Sequence, residues 1–443
     1  MGDFRSIFPF RRRATLAAVA ALAAGAVVSA PIDAQTPAPA AAEMRRDSTD
    51  GDRIFEPTKL HRIHVSISPA EWAILQTSSA SGGLVRGGSE YSQTDGRVIH
   101  VGSGFGGVFP WVRADMRVDG GDEFKDVGIR YKGNLSFRST SAAVPLFANF
   151  KLKIDQHGTK GSWDGEKTFN LHAGVVDTSK MREAIAYTAF RAAGVPSPRT
   201  AYVELFVTMP GLYQDTPAGL FSIIEDINKN FLEDVLPPGT GLIMKPEGLR
   251  GGIQSYGDTW ASYAQTLRPD RDATPHEQQR VIEFAKLISQ PDVALFRNNI
   301  GKYLDVEEFL RFIAVNAIIL NTDSYLGGSH NFYLYLDPSD DKFRFIPWDQ
   351  DLALGARGGN GIDVMTPYRG DQPLIYWLLD DPAVMARYRE ILKELSKTVF
   401  TQDLLTFVDG LGRVGTNRDL SPRAFLAGRI SYLQQLVTSW DAK

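Results

Sequence analysis

Between about residues 60 and 244 apolar side chains fall at every second position, and after about residue 274 they recur at helical spacing. That change of period limits the fold more than any other feature of the chain. RIHVSIS, VRADMRVDG, DVGIRYKG, FANFKLKID, RTAYVELFV and AGLFSIIED alternate apolar with polar residues between Gly, Pro and Asp, which predicts strands. One predicted helix interrupts them: DTSKMREAIAYTAFRAAG opens on the capping residues Asp177 and Thr178, aligns Met181, Ile185, Ala189 and Phe190, and stops at Gly194 before Pro196. HEQQRVIEFAKLIS, DVEEFLRFIAVNAIIL, PAVMARYREILKELSKTVF and SPRAFLAGRISYLQQLVTSW each carry an apolar stripe further on. The expected class is therefore α+β and bilobal, with a strand-rich lobe over 59–245 holding one inserted helix and a mostly helical lobe over 246–443. A chain of 443 residues is long enough for both.

What precedes residue 59 reads differently. Arg11, Arg12 and Arg13 stand before a run of small apolar residues that ends in a small-x-small pattern before Gln35, which predicts a signal peptide over 1–35 and a disordered tether over 36–58. No later stretch approaches the roughly 20 consecutive apolar residues of a membrane span. The mature chain is thus expected to be secreted, periplasmic or at the cell surface. It has no cysteine, which excludes disulfides, thiolate metal sites and thiol catalysis and leaves oxygen or imidazole as metal ligands. A net charge of −4 gives no global basic field for nucleic acid.

Inside the helical half one strand pair stands out. NFYLYLD and KFRFIPWD are joined by the turn-forming PSDD, in which Asp340 and Asp341 read as turn residues beside Asp337. The hairpin brings Asp323, before the first strand, Asn331, at its start, and Asp349 with Asp351, after the second, to one end. Singly, each suits a turn or a solvated strand end. Jointly they suit Mg²⁺, which takes oxygen ligands completed by water and phosphates, and they leave one carboxylate free to act on a hydroxyl. Phosphoryl transfer needs this set, and protein kinases arrange it in the order catalytic Asp, Asn, hairpin, metal-binding Asp. His330 reads as a structural hydrogen-bonding residue, because Mg²⁺ has little use for imidazole.

The expected cationic side is spread over several segments. Lys151 and Lys153, two apart on a strand, share one face, so either can reach phosphates. Lys132, in RYKGN, can cover phosphates beside Gly133 and Asn134, although a plain hairpin turn explains those residues equally well. Glu225 and Asp226 end the strand before a would-be hinge and could contact adenosine.

RYKGNLSF, FNLHAGVVDTSKMREAIAYTAFRAAGVPSPRTAYVEL, GLFSIIEDINKNFL, HNFYLYLD and PWDQDLALG together resemble the successive motifs of the CotH family of atypical, kinase-like proteins, over most of the chain from about residue 60. The resemblance implies an atypical protein-kinase-like fold, ATP with Mg²⁺ or Mn²⁺ as cofactors, and hydroxyls of secreted or surface proteins, Ser or Thr, as acceptors. It gives Asp323 the role of catalytic Asp, Asp349 that of metal ligand with Asp351 close by, and Asn331 that of second ligand. Lys153 resembles the phosphate-binding position better than Lys151, and Glu183 is its ion-pair partner by analogy with kinases, with Arg182 as the alternative. SYLGGSH, between Asp323 and Asn331, is longer than the family pattern and holds two glycines, so this loop is expected to sit differently. The competing reading is a non-catalytic surface scaffold, or a carbohydrate or Ca²⁺ module in which Trp348 and Trp377 stack on sugars. Such a site needs no lysine, whereas phosphoryl transfer does.

Overall fold

The computed structural model describes residues 46, 48–80, 90–92, 97–101, 107–133, 135–140, 145–246, 252–356, 363–368, 372–414 and 419–442. The expected signal peptide and the first part of the expected tether lie outside these residues.

The fold is mixed α and β with a sheet-rich part. Seven strands close into a barrel in the order Leu60–Ser66, Thr200–Met209, Tyr213–Glu225, Thr168–His172, Phe150–Lys153, Glu123–Tyr131 and Val112–Val118. Leu60–Ser66 runs parallel to Thr200–Met209, and the other neighbours are antiparallel. The period-two pattern has its cause here. Phe150 and Leu152, Phe169 and Leu171, and Phe221 and Ile223 fill the barrel, while Lys151, Asn170 and His172 are left on its outer wall. Closure removes the exposed edges that so many strands would otherwise present.

The strand-rich half holds more helix than predicted. Besides Arg182–Ala192 it contains Pro69–Leu75, Leu135–Thr140 and Lys229–Val235. Segments of two turns or fewer are too short to show a helical stripe. The inserted helix Arg182–Ala192 is buried on nearly every side and joins the core of the helical half, its Phe190 stacking 5.8 Å from Phe312. The expected caps act indirectly: Met181 is the N-cap residue without a side-chain bond, and Asp177 accepts the amide of Arg182.

In the helical half, Val306–Ile318 lies at the centre, with every residue from 309 to 318 buried. The predicted hairpin is present as Phe332–Asp337 and Lys342–Pro347, in register from Asp337 opposite Lys342 to Phe332 opposite Pro347. A third strand, Leu242–Met244, pairs with it, so the boundary expected at 245 falls after a strand that belongs to the hairpin sheet. Three residues are too few to reveal that partner in sequence. Tyr187, Ile224, Phe231, Ile243, Tyr335, Ile346 and Trp348 form a separate apolar cluster where barrel, inserted helix and hairpin meet.

The tether expected over 36–58 is also corrected. Arg46 pairs with Glu225 and Asp234 at 2.5 Å each, and Ile54 and Phe55 are buried in the barrel core. The polar composition hid two apolar anchors and a guanidinium with a buried carboxylate to meet.

Candidate functional site

The end of the hairpin is shaped by left-handed backbone. Asn331 and Asp349 have φ of 58° and 52°, a region that Asn and Asp tolerate better than other non-glycine residues, and Trp348 N donates to Asn331 O at 3.1 Å between them. Before the first strand, SYLGGSH folds as the one-turn helix Tyr325–Gly328 capped by Ser324. A Cβ on Gly327 would run into the carbonyl of Thr322, and one on Gly328 into the His330 ring, so the two glycines permit the tight return. The return brings His330 Nε2 to 3.0 Å from Asp323 Oδ1 and Asn331 Nδ2 to 3.1 Å from Asp323 Oδ2. Burial would lower the His330 pKa, but the bond to Asp323, the Gly328 backbone and the charges of Asp323 and Asp349 together raise it. Asp323 is buried, with both oxygens engaged.

Beyond the second strand, Asn321 Nδ2 donates to Gln350 Oε1 at 2.8 Å and fixes the loop that carries Asp349 and Asp351. Arg182 Nη1 donates to the carbonyls of Ala353 and Leu354 at 2.8 and 2.9 Å, tying the inserted helix to the same loop. Burial, then Asp349 and Glu183, push the Asp351 carboxyl well above its ordinary range. Burial and Asp349 do the same to Glu183. Ligand atoms of His172, Glu183 and Asp349 lie within 4.8 Å of one another, so these three, with Asp351 near, could hold a cation. Asn331 spends its amide nitrogen on Asp323 and has its oxygen left to offer.

The barrel wall supplies the cations. Lys132 Nζ donates to Asn170 Oδ1 at 2.9 Å, meets His172 Nε2 at 2.8 Å and sits 5.0 Å over the Trp348 ring. Burial, with Lys245 and Lys151 nearby, pushes its pKa well below the usual lysine range. Lys151 Nζ donates to Asp226 Oδ1 at 2.8 Å, and Asn170 Nδ2 reaches the same oxygen at 2.9 Å. Burial alone would raise Asp226, but Lys151 and Asn170 overcome it and hold it at about 2.

Asp323, Asn331, Asp349, Asp351, Glu183 and Lys132 thus gather where barrel wall, inserted helix and hairpin end meet. Three expectations change. Lys153 shares the face of Lys151, and both line one open cleft of about 340 Å³ with Asp226, Lys167 and Lys229, but Lys151 pairs with Asp226 whereas Lys153 has no ion pair among the described residues. Glu183 pairs with His172, at 2.9 Å, in place of a lysine. Glu225 faces away from the cleft: Arg199 and Arg46 take its carboxylate, while its neighbour Asp226 faces inward. Glu225 ends its strand and Asp226 follows it, and the two side chains go to different partners. The sequence reading missed His172, Asn170 and Lys245. Period two in TFNLH places Asn170 and His172 on one face, and that signal was available.

A family described as CotH kinase protein matches residues 129–407. Inner spore coat protein H of Bacillus subtilis is 24% identical over 54% of this chain and 64% of its own length. Invasin CotH7 of Rhizopus delemar is 24% identical over 57% of this chain and 42% of its own. The chain therefore spans about two fifths to two thirds of the length of these relatives. Among solved structures, the Helicobacter pylori proinflammatory kinase CtkA aligns with 64% of this chain and 90% of its own, at 9% identity and a TM-score of 0.33.

Proposed function

The chain belongs to the CotH kinase protein family, and from that premise we propose that it is an atypical kinase that transfers the γ-phosphate of ATP, with Mg²⁺ or Mn²⁺, to a hydroxyl of a secreted or surface protein. The observation that carries the reading is the gathering of carboxylates at the hairpin end close to half-buried lysines of the barrel wall.

The donor set fits a hard divalent cation: the buried carboxylate of Glu183 and the half-buried ones of Asp349 and Asp351 crowd together, and the fully buried Tyr187 hydroxyl beside them donates to no group among the described residues. Asp349, with Asp351 or Glu183 and the oxygen of Asn331, would hold it. Bound there, the cation supplies neutralisation of phosphate charge. Lys132 and Lys151 bind phosphate oxygens. Asp323, held by His330 and Asn331, orients the acceptor hydroxyl and takes its proton as the oxygen bonds to the γ-phosphorus and the bond to the leaving ADP breaks. Ser and Thr are the acceptors the reading favours.

The names of the relatives, a spore coat protein and an invasin, support a place outside the cytoplasm, as does the N-terminal apolar run. No helix among the described residues is long and apolar enough to cross a membrane. The sugar-stacking alternative has less support. Trp348 is buried with its ring against Lys132, Lys245, Tyr333 and His172, and Trp377 packs on Phe296. Calorimetric titration with ATP tests the proposal: binding should need Mg²⁺ or Mn²⁺, and equal affinity in EDTA would reject it.

A further inference from the structure

A charged lysine nitrogen can only donate a hydrogen bond, so with Lys132 as the ammonium that holds phosphate, the 2.8 Å contact between Lys132 Nζ and His172 Nε2 requires a lone pair on Nε2. A neutral imidazole then carries its proton on Nδ1. Nδ1 lies 3.0 and 2.9 Å from the two carboxylate oxygens of Glu183, where that proton has its acceptor. With Lys132 charged, these contacts set the tautomer and a direction of donation, from Lys132 to His172 to Glu183. The Glu183 carboxylate in turn accepts the amide of Gln350, the residue after Asp349.

From this we infer that His172 is the positioning residue of the cleft: it relays Glu183 to Lys132, in place of a direct lysine–glutamate ion pair, and sets where the lysine stands relative to Asp349. The inference rests on the kinase reading for the role of Lys132, whereas the relay needs only that Lys132 be charged. Three elements meet in it. Lys132 follows the strand Glu123–Tyr131, His172 ends Thr168–His172, and Glu183 lies in the first turn of Arg182–Ala192. The lysine has two acceptors, Asn170 Oδ1 and His172 Nε2. Its third donor direction is left for a phosphate oxygen. An imidazole spans the gap with one acceptor and one donor on a rigid ring. His172 is buried beside Trp348, with ring centroids 6.0 Å apart and edge to face, so it has little room to turn away.

Two measurements test this. In protein labelled with ¹⁵N-histidine, with the His172 signals assigned by their loss in His172→Asn, the long-range ¹⁵N spectrum at neutral pH should show Nδ1 protonated and Nε2 bare. A ring protonated on Nε2, or on both nitrogens, overturns the relay whether or not the protein binds nucleotide. The second is a double-mutant cycle read by binding of the ATP analogue AMPPNP with Mg²⁺, each variant checked for folding by circular dichroism. His172→Ala should weaken binding about 10-fold or more, the range for partners that orient a liganding group, and should cost nothing further when added to Lys132→Ala. Additive losses, or unchanged affinity in His172→Ala, would overturn the positioning role. Wild type that binds no AMPPNP would defeat the kinase reading, and the ¹⁵N spectrum would still decide the relay.

Discussion

Lys151 donates to Asp226 across 2.8 Å, whereas Lys153, two residues along the same strand face and lining the same cleft, has no ion pair among the described residues. The pair separates two lysines that sequence treats alike. Lys151→Ala should weaken binding of Mg²⁺·ATP about 10-fold, the worth of one charge-assisted contact to phosphate, and Lys153→Ala by less than about twofold. Calorimetry on both variants checks it; the reverse order would restore Lys153 to the site.

Asp226 also makes a pH signature. Its folded pKa, about 2, lies below the ordinary 3.8. A depressed carboxylate contributes stability that is present above the unfolded pKa and lost as pH falls through the folded one, here between about pH 3.8 and 2. The contribution is on the order of 2 kcal/mol. Urea unfolding from pH 5 to 2 should therefore fall less steeply in Asp226→Asn than in wild type. Parallel curves would mean that Lys151 and Asp226 do not pair in solution.

The N-terminal segment supplies a third test. Phe55 is buried and lies 4.8 Å under the Arg199 guanidinium, which itself pairs with Glu225, Glu166 and Asp52. Phe55→Ala should cost about 3 kcal/mol, as for other buried aromatic truncations, measured by chemical unfolding. A tether would give a change near zero.

Much of this fold was legible before any coordinates. Alternation in FANFKLKID and RTAYVELFV gave strands, and the hairpin with Asp323, Asn331 and Asp349 at one end followed from PSDD and the flanking runs. Closure of the barrel was not legible, because pairing Leu60–Ser66 with Thr200–Met209 joins segments far apart in sequence. Nor was the choice of Asp226 over Glu225, or of His172 as the partner of Glu183. Those depend on which wall of the barrel faces the hairpin, and a periodic pattern does not say which. The strap from Arg46 to Phe55 was misread because a few anchors in a polar segment carry no period at all.

The central claim is that Asp323 and Asp349 do different chemistry in one phosphoryl transfer, and labelled-phosphate transfer from γ-labelled ATP to the protein itself or to envelope extract tests it most directly. Wild type should label. Asp323→Ala should bind Mg²⁺·ATP yet lose labelling by about 100-fold or more, as expected for removal of a general base, and Asp349→Ala should lose both binding and labelling. Wild type that transfers nothing, or two folded variants that label as wild type does, would contradict the account.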